Sequence, residues 1–235
     1  MPLSKPYPHI CRGSAEPYYE ARKEDIGINC FAAYEILKAD LKKIFEYIEP
    51  CKSNYNTYSH RTFELLVRAC TEVESLCKLV FSKNNKPLGQ KGNIKRYSDL
   101  EGAMKLSEYE VLCYGFNHDP FKPFSSFSDP VRDQRSPSWY RAYNDVKHNR
   151  SENFHLASLE NIIQAVAAVY VLLVAQYGLD LLQVSLQGAH LKAIYNNMFR
   201  TKVVKWPEDE KYGYRWEDLK NTENPFDYHP LPVIP

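Results

Sequence analysis

The chain has 235 residues, of which 44% are hydrophobic and 25% charged, and its formal net charge is +1. These values are ordinary for a soluble globular protein, and the near-neutral charge argues against an extended surface for nucleic-acid phosphates. The small number of glycines, 9 in all, disfavours a turn-rich β-barrel or sandwich.

Targeting signals and cysteine spacing set further bounds on the class of protein. No basic region followed by an apolar run begins the chain, and the longest apolar run, residues 165–175, is shorter than the roughly 18 residues that span a membrane. We therefore predict a cytoplasmic protein without a membrane partner. The 6 cysteines form no CxxC pair, which favours reduced thiols over a disulfide framework and predicts neither a metal site nor a cofactor.

The first half of the chain predicts an extended segment followed by two helices. Residues 1–30 are rich in proline and are predicted to form a strap over the body of the protein. Apolar residues at helical spacing predict a helix over residues 31–49, ending at Pro50. A second helix is predicted from Ser59, as its N-cap, to about Ser82.

Residues 83–97 are basic and rich in turn formers, which predicts a loop. The alternation in YEVLCYG favours a short strand, with a second short helix as the alternative. Prolines then predict an irregular stretch up to Pro137, after which a helix begins.

The most apolar segment of the chain predicts the centre of a helical bundle. Residues 154–177 are apolar on nearly every side of a helical wheel, and such a helix is stable only when others surround it. Residues 181–200 are predicted to form a further helix. The prediction is thus an all-α bundle over residues 31–200, with residues 201–235 as an irregular tail packed on it.

One segment, WYRAYNDVKHNR at residues 139–150, combines aromatic and cationic residues. At 100° per residue, Arg141, Asn144 and His148 share one face of a helix. Trp139 and Tyr143 lie on the opposite side and are predicted to anchor the segment. Arginine is a bidentate donor to phosphate and histidine titrates near neutral pH, so the polar face could clamp and protonate a phosphate. A solvated face without function is the alternative.

A carboxylate in an apolar stripe predicts an ion pair. Glu74 lies between Cys70 and Cys77 on the apolar face of the second helix, where an ionised carboxylate requires a partner. Arg150, on the apolar side of its own helix, is the expected cation. We therefore predict a structural ion pair between Glu74 and Arg150 that holds the two helices together.

Two segments resemble the core helices of HEPN-like helical proteins of bacteria. They are SHRTFELLVRACTEVESLCK and SWYRAYNDVKHNRSENFHLASLENIIQAVAAVYVLL, and the pattern W-x3-YN-x2-KH-x-R before an alanine-rich helix carries the resemblance. The resemblance implies a small helical bundle, commonly dimeric. HEPN proteins with an arginine, a short spacer and a histidine on one helix are often metal-independent RNases of toxin–antitoxin and phage-defence systems.

Carried over to this chain, the motif makes His148 the acid or base in attack by a ribose 2′-hydroxyl and Arg141 the ligand of the scissile phosphate. The polar residue that usually follows the arginine is replaced by Ala142, and Asn144 is the nearest substitute. Two hypotheses follow. One is a non-catalytic interaction module that binds RNA, a nucleotide or a protein; the other is a metal-independent endoribonuclease. A second copy of the chain, as a homodimer, is a further expected partner.

Overall fold

The computed structural model describes residues 7–12, 25–86, 88, 92–113, 119–179 and 198–211. Two short strands accompany the helices, β1 (Glu110–Cys113) and β2 (Phe199–Lys202). Helix predominates, which confirms the predicted all-α fold, and β1 is the strand predicted within YEVLCYG. The helices, in chain order, are α1 (Asp25–Phe45), α2 (His60–Lys83), α3 (Ile94–Tyr97), α4 (Glu101–Met104), α5 (Ser138–His148), α6 (Arg150–Asn153) and α7 (Leu159–Tyr177).

Helix α7 is the centre of the fold, as its apolar surface predicts. It packs against α1, α2 and α5, and every residue from 165 to 177 is buried. The helix begins later than predicted, because residues Phe154–Leu156 form a 3-10 turn and Ser158 caps the first turn of α7. By length and composition α7 could cross a membrane, but 83% of its apolar window is buried inside the fold. Such burial is what the core helix of a soluble protein shows.

Helix α2 begins where its cap predicts. The Thr62 amide donates to Ser59 Oγ and the Ser59 amide donates to Thr62 Oγ1, so each residue satisfies a free amide of the other. Helix α1 differs from the prediction at both ends. It begins inside the predicted strap and ends at Phe45, after which a turn, with the Tyr47 and Ile48 amides donating to the Ile44 carbonyl, leads to Pro50.

Strands β1 and β2 form an antiparallel pair, with Val111 opposite Thr201. Residues 199 and 200 were predicted to end a helix, and that part of the prediction is wrong. Phe199 is buried against Tyr170 while Arg200 is exposed, an alternation that suits a strand with a partner. Residues 180–197, which carry the rest of that predicted helix, lie outside the described residues.

The described N-terminal residues lie on the bundle. The Cys11 amide donates to the carbonyl of Ala175 over 2.8 Å, and Ile10 is fully buried. Gly178 ends α7 beneath this segment with a φ of 80°, and a Cβ on it would lie 3.2 Å from Cys11 Sγ. Both the left-handed backbone and the close approach therefore favour glycine here.

Candidate functional site

Aromatic side chains fix helix α5 to the bundle. Trp139 is fully buried, and its indole N–H donates to the carbonyl of Pro123 over 2.7 Å. Tyr143 and Val146 are buried on the same side of the helix. The residues that were predicted to anchor the segment thus lie against the core, and the opposite side of α5 faces solvent.

The solvent side of α5 carries the three residues that the sequence places on one face. Arg141 and His148 are exposed and Asn144 is half-buried. Seven residues of α-helix rotate by nearly two full turns, so Arg141 and His148 lie on the same side, roughly 10 Å apart along the axis. We refer to Arg141, Asn144 and His148 as the α5 polar face.

The hydrogen bonds of the α5 polar face distinguish its members. Arg141 Nη1 donates to the carbonyl of Ser136 over 2.7 Å, which holds the guanidinium near the start of the helix. Within the described part of the chain, the side chains of Asn144 and His148 have no hydrogen-bond partner. The α5 polar face therefore presents one cation, held by a backbone hydrogen bond, and two polar side chains without a hydrogen-bond partner among the described residues.

Glu74 has different partners from the one predicted. Its side chain is 21% exposed, and Tyr140 Oη donates to its Oε1 over 2.8 Å. Lys78, one helical turn later, places Nζ 3.5 Å from Oε2. Burial, and then the hydrogen bond to the Glu74 carboxylate, raise the pKa of Tyr140. Glu74 is thus stabilised by a neutral phenol and an exposed ammonium.

The predicted ion pair between Glu74 and Arg150 is wrong. Helix α5 ends at His148, and the backbone of Asn149, with φ −143° and ψ 79°, interrupts the helix before Arg150. The helical phase that pointed Arg150 toward Glu74 is lost at this break. Arg150 Nη2 instead lies 2.8 Å from Nδ1 of His60, roughly 20 Å from Glu74 along α2.

Tyr140 was not predicted as a partner of Glu74, because an ionised carboxylate is expected to pair with a cation. The buried residues of α2 show that Glu74 lies beside the apolar stripe rather than in its middle. From there a phenol of α5 reaches it. The buried residues of α2 are Thr62, Leu65, Leu66, Ala69, Cys70, Val73, Leu76, Cys77, Val80 and Phe81.

Replacing Tyr140 with phenylalanine should reduce the free energy of unfolding by about 2 kcal/mol, since a half-buried carboxylate loses its phenol donor. Tyr143→Phe is the matched control. Its hydroxyl accepts a hydrogen bond from Lys147, whose ammonium is largely solvated, so the expected loss is about 0.5 kcal/mol. Urea unfolding measures both values, and equal losses would contradict the assigned role of Tyr140.

No group of three or more His, Cys, Asp or Glu side chains that could hold a metal ion is found among the described residues. The six cysteines, all in the described part of the chain, are reduced, and Cys70, Cys77 and Cys113 are buried. Burial raises the pKa of Cys113 to about 12. Buried thiols of this kind are poor nucleophiles, because the thiolate is the reactive form.

Comparisons with protein-family models, with curated proteins and with solved structures found no match. The functional argument therefore depends on the residues of this chain.

Proposed function

We propose that this chain is an HEPN-like helical module that binds RNA through the α5 polar face without cleaving it. The supporting observation is that Arg141 and His148 are exposed and Asn144 is half-buried along one side of a helix that Trp139 fixes to the core. A guanidinium, an amide and an imidazole are groups that bind phosphates, riboses and base edges in RNA. The HEPN-like resemblance gives the setting, a bacterial defence or toxin–antitoxin type of system.

Two basic residues elsewhere on the surface, Lys95 and Arg132, are less available to phosphate than α5 is. Lys95 donates to Asp133 over 2.6 Å, and Arg132 donates to Asp99 over 2.9 Å. Each of these cations is already paired with a carboxylate, which reduces its attraction for phosphate. Arg141 has a backbone carbonyl as its partner and keeps its full charge.

Binding is favoured over cleavage by the state of His148. A histidine that acts as general acid or base is usually held by a further side chain that orients its ring. His148, the last residue of α5, has no such partner among the described residues. Its imidazole is placed to contact an RNA but is not oriented toward a reacting oxygen.

A metal-independent endoribonuclease is the second candidate. Arg141 and His148 lie on one side of α5, as the arginine and histidine of the HEPN motif would require. Two such faces, brought together across a twofold axis in a homodimer, would form a shared cleft in which each ring could find an orienting partner.

Binding and cleavage can be separated with a fluorescent single-stranded RNA of mixed sequence in the presence of a metal chelator. Arg141→Gln should weaken binding about tenfold, because a charge-assisted hydrogen bond to phosphate is lost, and the RNA should stay intact with every variant. Lys42→Gln removes the same charge from an exposed site on α1 and should leave binding unchanged.

Two results would overturn the proposal. If the wild type binds no RNA, the α5 polar face is not an RNA-binding site. If the wild type cleaves the RNA and both Arg141→Gln and His148→Gln abolish cleavage while still folded, the chain is an RNase.

A further inference from the structure

An arginine and four aromatic rings lie close together where α2 begins. The carbon at the centre of the Arg150 guanidinium lies 4.6 Å from the ring centroid of Phe63 and 5.0 Å from that of Phe154. The rings of Tyr58 and His60 lie against Phe154, with centroids 5.6 and 5.0 Å away. We call these five residues the Arg150 surface.

A hydrogen bond joins Arg150 to His60 within this surface. Arginine is only a donor, so the contact of 2.8 Å between Arg150 Nη2 and His60 Nδ1 requires Nδ1 to accept. The pair neither cancels the charge of Arg150 nor uses its remaining N–H groups.

Arg150 differs from several other arginines in the described part of the chain, whose charges are paired. Arg61, Arg68 and Arg132 each donate to a carboxylate, whereas Arg150 forms no ion pair among the described residues. One carboxylate near the start of α2 and another on α6 are both engaged. Glu64 accepts from Arg61, and Glu152 accepts from Asn149. An exposed, aromatic-supported guanidinium without a counter-charge is suited to an anionic ligand.

Tyr58 supplies an exposed flat surface beside this cation. Its side chain is 49% exposed, and its ring meets Phe154 edge-on at 85°. Its backbone is held by a bridge to Ser158, and the amide of Leu159 donates to the carbonyl of Thr57 beside it over 2.8 Å. The exposed ring is therefore held in position, which reduces the entropy lost when a second ring stacks on it.

We propose that the Arg150 surface is a second contact for single-stranded RNA, in which Arg150 binds a phosphate and an unpaired base stacks on Tyr58. This inference rests on the proposed function, since Arg150 follows His148 of the α5 polar face by two residues in the chain. Phosphate neutralisation combined with base stacking on aromatic rings is how single strands are bound without a fixed sequence. A duplex offers no unpaired base to Tyr58.

Salt dependence and strandedness test the proposal. For a single-stranded RNA, Arg150→Gln should weaken binding about tenfold and reduce the slope of log Kd against log salt by about 0.7, the value for one phosphate contact. Tyr58→Leu should weaken single-strand binding about fivefold, leave the salt slope unchanged and leave duplex binding unchanged. Arg150→Lys should keep the slope.

Arg68→Gln is the matched control, because it removes the same charge from α2 but from a guanidinium already bonded to Asp40. Because Tyr58→Leu alters an exposed ring, it tests whether the Arg150 surface contacts single-stranded RNA even if Arg150→Gln unfolds the protein. Should Arg141→Gln weaken binding while Tyr58→Leu and Arg150→Gln do not, the Arg150 surface is overturned and the α5 proposal stands. Equal loss of duplex and single-strand binding in Tyr58→Leu would overturn base stacking. Absence of RNA binding by the wild type would overturn both proposals.

Discussion

Replacing Trp139 with alanine should reduce the free energy of unfolding by about 4 kcal/mol, the largest loss expected from any single side chain in α5. Trp139 is fully buried, and its ring meets the edges of Phe124 and Tyr140 with centroids 6.0 and 5.7 Å away. Its indole N–H also satisfies the carbonyl of Pro123. Alanine would leave a cavity and an unpaired carbonyl in the same place.

Urea unfolding followed by far-ultraviolet circular dichroism measures this loss. Trp139→Phe retains most of the ring but no N–H donor, and it should cost about 2 kcal/mol. The difference between the two variants separates packing from the hydrogen bond. A loss below about 1 kcal/mol for the alanine variant would show that α5 is not held by this residue, and the α5 polar face would then lack a rigid support.

Replacing Arg12 with alanine should reduce the free energy of unfolding by about 3 kcal/mol, because one buried guanidinium holds three separate segments of the chain. Arg12 Nε and Nη2 donate to the carbonyl of Ala103 over 3.1 and 3.0 Å. Its guanidinium lies between the rings of Tyr7 and Trp206, 4.7 and 4.6 Å from their centroids. Glu210, at 3.8 Å, supplies a counter-charge.

Two further variants separate these contributions. Arg12→Lys keeps the charge but cannot make both hydrogen bonds or stack as a plane, and it should recover less than half of the loss. Arg68→Ala removes a surface arginine whose partner is Asp40, and it should cost less than about 1 kcal/mol. If Arg12→Ala costs no more than Arg68→Ala in thermal and urea unfolding, the N- and C-terminal segments are not held by Arg12.

Local patterns predicted the principal helices correctly. Ser59 indicated the start of α2, since a cap requires only a side chain within three residues of the amide that it satisfies. The unbroken apolar surface of α7 predicted its central position, because a helix that is apolar on every side is stable only when other elements cover all of its sides. The side chains assigned to the solvent face and to the core face of α5 also lie as helical periodicity predicts.

Contacts between distant residues were decided only by the tertiary structure. Strand β2 forms because β1 supplies its hydrogen-bond partners some 90 residues earlier, which no local pattern of β2 reveals. The break at Asn149 changed the direction of Arg150, so a helical wheel drawn through residues 139–150 paired it with Glu74, whereas its partner is His60 at the start of the same helix, α2. Glu74 instead accepts a hydrogen bond from the phenol of Tyr140 on α5. Propensity and periodicity act over a few residues and could be read from the sequence, whereas the partner of a buried polar group depends on which helices pack together.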